Sequence, residues 1–428
     1  MWRVTNAIIS SVSRIVFALL DLLDFALCFI YRFLDSVLEE NPIPCYCRSR
    51  GGEEEGDEIS ETLYGRRNEF RDQILGLFSA TGRSDDDDDD DDDEKEKEKK
   101  EAGRRSPRWS DCNCESCVSC ASWKNWQGMG KETLHLVIKE PTRAETRQDG
   151  SYETENVIFL HGFLSSSSIW VESVFPNLSE EADLRVKMFA MDLLGFGKSP
   201  KPANCLYRIQ DHLEMIERTV IKQFGLNSFH IVAHSMGCIL GIALAAKYPK
   251  SVKSITLVAP PYFPSLEAKA SHNALNRLAE RKIWPPLLFF SSVMSWYEHL
   301  GRTICFIICR NHLTWEWIIK LLTWKKHLPF NLTDITKHTH HSAWHTMHEV
   351  LCRGAKFNDN YLRTLKEEGI FMKIIHGDKD EVVPLECSLN IKGRVPKAEL
   401  QIINNADHVS VILNRKKDFT KFLEQTWF

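Results

Sequence analysis

One serine of the chain lies in a setting that could make it a nucleophile. Ser235 follows an apolar run typical of a buried strand and precedes residues 236–247, which have the length and composition of a helix. Small residues, Ala233 and Gly237, stand two positions before and two after it, where a sharp strand-to-helix turn needs room for neighbouring backbone. With His234 and Gly237 in the supporting loop, this pattern predicts that Ser235 attacks a carbonyl carbon.

A serine hydroxyl is a weak nucleophile unless a base takes its proton and an acid orients that base. Two later loops offer these groups: Asp380 in the run 376–384, and His408 in the loop after the next apolar run. Both loops follow predicted strands, and the carboxyl ends of parallel strands collect functional groups at one edge of a sheet. We predict that His408 is the base and Asp380 the acid. Asp378 is the alternative acid, although it would occupy the turn itself.

An acyl-transfer intermediate also needs two backbone N–H groups that stabilise its oxyanion. Met236, directly after Ser235 at the start of a helix, is expected to supply one of them. Phe163 is expected to supply the other, because Gly162 lets this backbone approach the substrate, and His161 should tie the loop together. Such chemistry needs no cofactor, and the sequence assigns no metal site to it.

The elements that must position these residues can be predicted from alternating patterns. From about residue 121, short β-branched or apolar runs alternate with segments of helical length. The predicted strands are 134–139, 157–160, 186–191, 229–232, 255–258, 372–375 and 400–403. Strand–helix alternation predicts a parallel sheet covered on both faces, and the chain order serine, acid, histidine is that of the α/β-hydrolase fold. We therefore predict a mostly parallel, doubly wound sheet of this fold over residues 121–428.

A long insertion, residues 262–367, separates two of these predicted strands. It has a helical texture and many aromatic residues, among them Trp284, Trp296, Trp315, Trp317 and Trp324. We expect a helical lid over the triad, whose apolar surface would suit acyl chains, although the aromatic residues could instead pack on one another. His341, His345 and His348 share one helical face; a polar lid face is the favoured interpretation, and zinc binding the alternative.

The pattern of residues 1–40 predicts a long amphipathic helix. Its polar residues fall on one narrow stripe: Arg3, Asn6, Ser10, Arg14, Asp21, Asp24, Arg32 and Asp35. A transmembrane span is disfavoured, because Asp21 and Asp24 would each cost about 2.5–3.5 kcal/mol near the bilayer centre. Membrane contact through residues 3–38 is favoured, as an interfacial anchor or a cleaved secretory signal. A helix docked on the hydrolase domain is the remaining alternative.

The composition of residues 41–120 predicts a disordered, acidic linker. The run 85–93 consists of nine aspartates, which repel one another and cannot form a core. Without these nine charges the formal net charge of −5 would be +4, so the remaining chain is mildly basic. Neither value indicates a protein that binds nucleic acid.

Several cysteines lie in or near this linker. Cys45 and Cys47 follow the predicted membrane-contacting helix and are therefore candidates for palmitoylation, with ordinary thiols as the alternative. Four more are clustered at Cys112, Cys114, Cys117 and Cys120. Zinc modules usually supply two pairs of ligands a dozen or more residues apart, so lipidation or local disulfides are favoured over a metal for this cluster.

Many of these residues lie in runs that resemble the plant BODYGUARD family of probable lysophospholipase-like hydrolases, which are linked to cuticle formation. The runs are 230–240, 257–262, 284–286, 296–299, 344–345 and 376–388, and Pro44-Cys45-Tyr46-Cys47 also resembles that family's N-terminus. The resemblance implies a lysolipid or cutin-related acyl ester as substrate, and a place at the epidermal cell surface or wall. Acyl transfer on the same triad, or a ligand receptor without turnover, are the alternative functions.

Overall fold

The computed structural model describes residues 2–39, 42, 60, 62–63, 108–112, 132–142, 154–263, 271, 273–275 and 294–428, with side chains from residue 15 onward. The predicted lipidation sites Cys45 and Cys47, the aspartate run, and three of the four clustered cysteines lie outside these residues.

A single sheet of seven strands forms the centre of the hydrolase domain. The strands are β1 (Leu136–Lys139), β2 (Glu155–Leu160), β3 (Val186–Met191), β4 (Phe229–His234), β5 (Val252–Val258), β6 (Phe371–Gly377) and β7 (Glu399–Ile403). Their order across the sheet is β1-β3-β2-β4-β5-β6-β7. β1 is antiparallel to β3, and every other neighbouring pair is parallel. The predicted mostly parallel sheet is confirmed.

Helices cover both faces of this sheet, and further helices form the predicted lid and the N-terminal segment. They are α1 (Trp2–Leu38), α2 (Ser168–Val171), α3 (Glu180–Arg185), α4 (Ile209–Ile216), α5 (Met236–Lys247), α6 (Glu298–Ile308), α7 (His312–Thr323), α8 (Phe330–Asp334), α9 (His340–Thr346), α10 (Arg353–Glu367), α11 (Leu385–Arg394), α12 (Ser410–Leu413) and α13 (Lys416–Trp427). Successive side chains of a strand point to opposite faces. Along β2, Ile158 and Leu160 accordingly join one core, and Val157 and Phe159 the other.

The last part of the predicted lid belongs to the core of the domain. Val350, Leu351 and Leu362 are buried in the same cluster as the side chains of α5. Gly354 lies so close to α5 that a Cβ there would stand 3.0 Å from Cγ2 of Ile239. The lid is therefore formed by helices α6 to α9 and ends before the predicted boundary at residue 367.

The N-terminal helix α1 packs on the lid with its polar side. Oδ1 of Asp24 accepts the backbone N–H groups of His299 and Leu300, each at 3.1 Å, which satisfies donors that the first turn of α6 leaves open. Further along, both oxygens of Asp35 accept hydrogen bonds from the guanidinium of Arg302 at 2.6 Å. This is the docked arrangement that the sequence left as an alternative. Among the described helices, none has both the length and the apolar character to cross a membrane.

Two short pieces of the predicted linker are also fixed on this unit. The backbone N–H of Ser60 donates to Oε1 of Glu349 at 2.6 Å, and Arg108 donates to Asp35 at 2.9 Å. The prediction of a disordered linker does not hold at these residues. Their partners lie far away along the chain, so local composition could not reveal them.

His341, His345 and His348 do not form the predicted polar lid face, because all three are buried. Nε2 of His341 contacts the carbonyl oxygen of Cys205 at 2.9 Å, and the rings of His341 and His345 lie 4.2 Å apart. Burial lowers the pKa of His345 well below its usual range, and that of His348 to about 3. Among the described residues these three are not gathered closely enough to share a metal ion. A neutral imidazole packs like other rings, which explains their burial.

Candidate active site

Ser235 lies at the turn between β4 and α5, and Met236 is the first residue of that helix. Its backbone has φ 51° and ψ −125°, a conformation that is strained for a residue with a side chain. The Ser235 N–H donates to the carbonyl of Val258 at 2.8 Å. A Cβ at Gly237 would stand 2.6 Å from the carbonyl oxygen of His161, so the turn requires glycine there. These contacts hold Ser235 at the carboxyl edge of the sheet.

Asp380 and His408 come together at the same edge. Nδ1 of His408 lies 2.8 Å from Oδ2 of Asp380. The other oxygen of Asp380 accepts the backbone N–H groups of Val382 at 2.9 Å and Val383 at 2.8 Å, which fixes the plane of the carboxylate. Asp380 is buried, whereas Asp378 is exposed. Of the two acids considered from the sequence, Asp380 is therefore the one that reaches the imidazole.

The charge of Asp380 is stabilised by its neighbours. Burial by itself would raise the pKa of Asp380, but hydrogen bonds from His376 and His408 outweigh it and hold that pKa well below its usual range. A carboxylate that steadies a protonated imidazole must stay ionised in this way. Sequence reasoning assigned no role to His376, whose Nε2 lies 3.4 Å from Oδ2 of Asp380. Its place at the end of β6, on the loop of the predicted acid, was the available signal.

His234 connects the serine turn to the histidine loop. Its Nε2 donates to the carbonyl oxygen of His408 at 2.9 Å, and the two rings lie 4.7 Å apart. Burial lowers the pKa of His234 to about 3, so this ring is neutral at ordinary pH. Among the described residues, the Ser235 hydroxyl makes no hydrogen bond to His408. Catalytic hydrogen bonds often tighten only once a substrate is bound.

The loop that contains Phe163 lies directly against the serine. A Cβ at Gly162 would stand 3.0 Å from Cβ of Ser235, so glycine allows this close approach. His161 holds the loop in place: its Nε2 accepts the N–H of Leu193 at 2.8 Å, and its Nδ1–H donates to the carbonyl of Gly162 at 2.7 Å. The predicted oxyanion loop and the serine turn are therefore neighbours, as the sequence pattern requires.

A glycine-rich loop after β3 supports the Phe163 loop. The rings of Phe163 and Phe196 meet edge to face with centroids 5.6 Å apart. Asp192 organises this loop, because its carboxylate accepts the backbone N–H groups of Ser167 and Lys198, both at 2.7 Å. Two loops from different strands thus brace each other beside Ser235.

Several aromatic residues of the predicted lid are exposed. Trp315, Trp317 and Trp324 are 38%, 62% and 92% exposed, whereas Trp296 packs against Tyr297 and Leu300, as Phe17 of α1 also does. Trp284 lies outside the described residues. Three tryptophans of the predicted lid thus face solvent, and an aromatic cover over the triad stays a prediction.

The fold and the site define the class of protein. A family model described as alpha/beta hydrolase fold matches residues 155–285, which span the strands around Ser235 from β2 to β5. Together with the seven-stranded, mostly parallel sheet of the described residues, this match shows that the chain has the α/β-hydrolase fold.

Full-length relatives narrow the class to one family. Two proteins of Arabidopsis thaliana, probable lysophospholipases BODYGUARD 4 and BODYGUARD 5, are 46% and 44% identical to this chain. The matches cover 99% of this chain in both cases, and 97% and 96% of the relatives. A crystal structure of bromoperoxidase from Bacillus anthracis is 16% identical, covering 70% of this chain and 97% of that chain, with a TM-score of 0.46. On the identity with the two relatives, the chain belongs to the BODYGUARD family.

Proposed function

We propose that this protein hydrolyses acyl esters, with Ser235 as nucleophile, His408 as general base and Asp380 as the acid that orients it. The observation that carries the proposal is the 2.8 Å contact between His408 and the buried Asp380. The backbone of this His408 is hydrogen-bonded to His234, the neighbour of Ser235 in its strained turn. Strain of this kind persists where the surrounding structure imposes it, and it is concentrated at functional sites.

In the proposed reaction, His408 takes the hydroxyl proton of Ser235 as the serine oxygen attacks the carbonyl carbon. The N–H groups of Met236 and Phe163 would stabilise the oxyanion, and the ionised Asp380 would stabilise the imidazolium. The ester bond then breaks, and His408 returns the proton to the leaving alcohol. Water attacks the acyl-enzyme by the same steps, which releases a carboxylic acid and restores Ser235.

A lysophospholipid is the substrate class that we propose for this reaction. The relatives' names as probable lysophospholipases support it. Acyl transfer to an alcohol would use the same residues and differ in the acceptor alone. A ligand receptor would keep the geometry but show no turnover.

Labelling of the full chain with a fluorophosphonate tests the nucleophile. Label should appear in the native chain, vanish in Ser235→Ala and persist in the control Ser410→Ala, which changes a serine near His408. Folded protein that takes no label would overturn the proposal. Turnover of lysophosphatidylcholine, with and without an added long-chain alcohol, then separates the three functions: free fatty acid means hydrolysis, a new ester means transfer, and one-time labelling without product means a receptor.

We also propose that the outward face of α1 contacts a lipid surface. Its exposed apolar side chains are Ile15, Leu19, Leu22, Leu23, Phe29, Ile30, Phe33, Val37 and Leu38. α1 packs on α6, and α7 follows α6 in the chain. Leu322 of α7 and Trp324 directly after it are 73% and 92% exposed, and the exposed Lys325 and Lys326 follow. A helix whose polar side is docked and whose apolar side faces outward suits the headgroup boundary of a bilayer, and the lysines suit anionic lipids.

Sedimentation with vesicles of phosphatidylcholine and phosphatidylserine tests this contact. The triple variant Leu22→Gln/Phe29→Gln/Phe33→Gln should lose most of the vesicle-bound fraction. The control Leu184→Gln/Leu389→Gln changes two exposed apolar residues of the hydrolase body and should bind like the native chain. Native protein that stays in the supernatant as a dimer would replace the lipid with a second copy of the chain.

Family membership supports a role at the epidermal cell surface or wall in cuticle formation, with Cys45 and Cys47 as palmitoylation sites. Expression of a fluorescent fusion in plant epidermis tests the location, and a purely cytosolic signal would contradict it. Hydroxylamine-dependent thiol capture tests the lipidation. The capture should fall in Cys45→Ser/Cys47→Ser and stay at the native level in Cys28→Ser.

A further inference from the structure

Three buried side chains of the lid bring their metal-binding atoms together. Cys305 lies in the last turn of α6, Cys309 caps the C-terminal end of that helix, and His338 lies in the loop between α8 and α9. The Sγ atoms of Cys305 and Cys309 stand 3.5 Å and 3.7 Å from Nε2 of His338. All three ligand atoms lie within 4.8 Å of one another, a grouping that no other His, Cys, Asp or Glu side chains form among the described residues.

These spacings are those of a tetrahedral zinc site. Zinc binds a cysteine sulfur at about 2.3 Å and an imidazole nitrogen at about 2.0–2.1 Å. Two such ligands at a tetrahedral angle stand roughly 3.6 Å apart, and the observed separations of 3.5 Å and 3.7 Å lie on either side of that value. Each contact alone could be a hydrogen bond, but three ligand atoms that converge on one point are what a metal site requires.

The chemistry of the three groups also favours a metal over the other use of paired thiols. Side chains four residues apart on a helix have Cβ atoms about 5–6 Å apart, whereas a disulfide needs about 3.5–4.5 Å. Cys305 and Cys309 therefore cannot form a disulfide without bending α6. Two thiolates, one divalent ion and a neutral imidazole carry no net charge, which suits a site where all three side chains are buried.

We propose that Cys305, Cys309 and His338 bind one zinc ion. The sequence assigned no metal to the protein, since these cysteines are separated from His338 by two helices. The inference is independent of the proposed ester hydrolysis.

The position of the site indicates what the ion would do. The backbone of His338 pairs with Phe196 in an isolated β-bridge, and the ring of Phe196 packs on Phe163 in the predicted oxyanion loop. An ion held by α6 and His338 would fasten the lid to the glycine-rich loop beside Ser235. We expect a structural ion, which positions this loop and takes no part in bond breaking.

Metal analysis of the full chain by mass spectrometry tests the site. We expect about one zinc per chain, loss of that zinc in Cys305→Ser and Cys309→Ser, and its retention in Cys28→Ser, which removes a half-buried thiol of α1. Cobalt substitution supplies a second readout, since two thiolate ligands give an intense near-ultraviolet charge-transfer band that a site without thiolates lacks.

If the serine variants fail to fold, the native chain still decides the question. Titration with p-hydroxymercuribenzoate should release one zinc, recorded by a chromogenic chelator, as buried thiols react. Native protein without stoichiometric metal, one equivalent of a different metal, or zinc that stays in the folded Cys305→Ser and Cys309→Ser variants would each overturn the assignment.

Discussion

Two buried aspartates, Asp380 at the sheet edge and Asp35 on α1, show how the surroundings of one side chain decide its use. In both, burial would raise the pKa and hydrogen bonds outweigh it, so the carboxylate stays ionised. The partners differ. Asp380 contacts the imidazoles of His376 and His408, whereas Asp35 contacts the guanidinium groups of Arg302 and Arg108.

An imidazole can gain and lose a proton near neutral pH, whereas a guanidinium cannot. A carboxylate paired with imidazole can therefore take part in proton transfer. A carboxylate paired with two guanidinium groups, and with Nε1 of Trp109 at 2.7 Å, forms a permanent charge cluster whose use is to hold elements together. Here Asp35 joins α1 to the lid and to the short segment around Trp109.

The largest expected effect comes from Asp380→Asn. An amide keeps the shape of the side chain but cannot stabilise an imidazolium, so the turnover number should fall by about 10⁴-fold while the fold persists. Steady-state ester hydrolysis and circular dichroism measure the two properties. The exposed Asp378→Asn serves as the control and should stay near the native rate. A similar loss in both variants would mean that the loop, rather than the carboxylate, matters.

Asp35→Ala should have the opposite effect: it should lower the stability of the protein far more than the reactivity of Ser235. It removes the carboxylate that accepts hydrogen bonds from both Arg302 and Arg108 and leaves these buried charges only the more distant Glu39, which should lower the free energy of unfolding by about 3–5 kcal/mol. Denaturant unfolding measures the loss, and Arg32→Ala on the exposed side of α1 is the control. The double change Asp35→Leu/Arg302→Met should recover part of the stability. A fluorophosphonate labelling rate reduced as strongly as in Asp380→Asn would break the distinction between the two aspartates.

The sheet edge was largely predictable from sequence because its signals are local. Ser235, Gly237 and Gly162 occupy turns whose residue types are dictated by backbone close by, and Asp380 and His408 follow strands with clear apolar patterns. The role of His376 was not predicted, because its partners come close to it only when β6 and the following loop are folded together.

The lid and α1 were less predictable because their contacts join segments far apart in the chain. The polar stripe of α1 fits a membrane anchor as well as a docked helix until Arg302 is placed opposite Asp35. In the same way, Cys305 and His338 form no motif in the sequence, since the turn of α6 and the following two helices bring them together. Composition gives the character of a surface, but it does not identify what covers it.

The stability of the protein should also depend on pH, through buried histidines and not through the two aspartates. His212, His234 and His348 are buried, and burial lowers their pKa values to about 4, 3 and 3. Because the unfolded chain binds these protons first, their contribution to stability is complete above pH 6.5 and is lost as pH falls toward the folded values. Each should lose about 2 kcal/mol between pH 6.5 and 5. Both aspartates should stay ionised over that interval.

Denaturant unfolding at pH 7 and pH 5 measures this loss. In His348→Gln the difference between the two pH values should shrink by about 2 kcal/mol, whatever the variant's stability at pH 7. His327→Gln changes an exposed histidine and should keep the native difference. A native chain equally stable at both pH values would mean that the buried imidazoles are accessible to protons in the folded state.

The smallest expected effect comes from Ser388→Ala, which tests whether His376 influences hydrolysis only through its contact with Asp380. Oγ of Ser388 lies 2.6 Å from Nδ1 of His376, while Nε2 of that ring lies 2.9 Å from the carbonyl of Val383. Since a carbonyl only accepts, Nε2 carries the proton and Ser388 donates to Nδ1. Ser388→Ala should therefore lower the free energy of unfolding by about 1 kcal/mol, with hydrolysis within a few-fold of native and an unchanged pH profile. A shifted pH profile would instead make Ser388 part of the proton-transfer network. The use of Asp380 would then depend on residues beyond its direct partners His376 and His408.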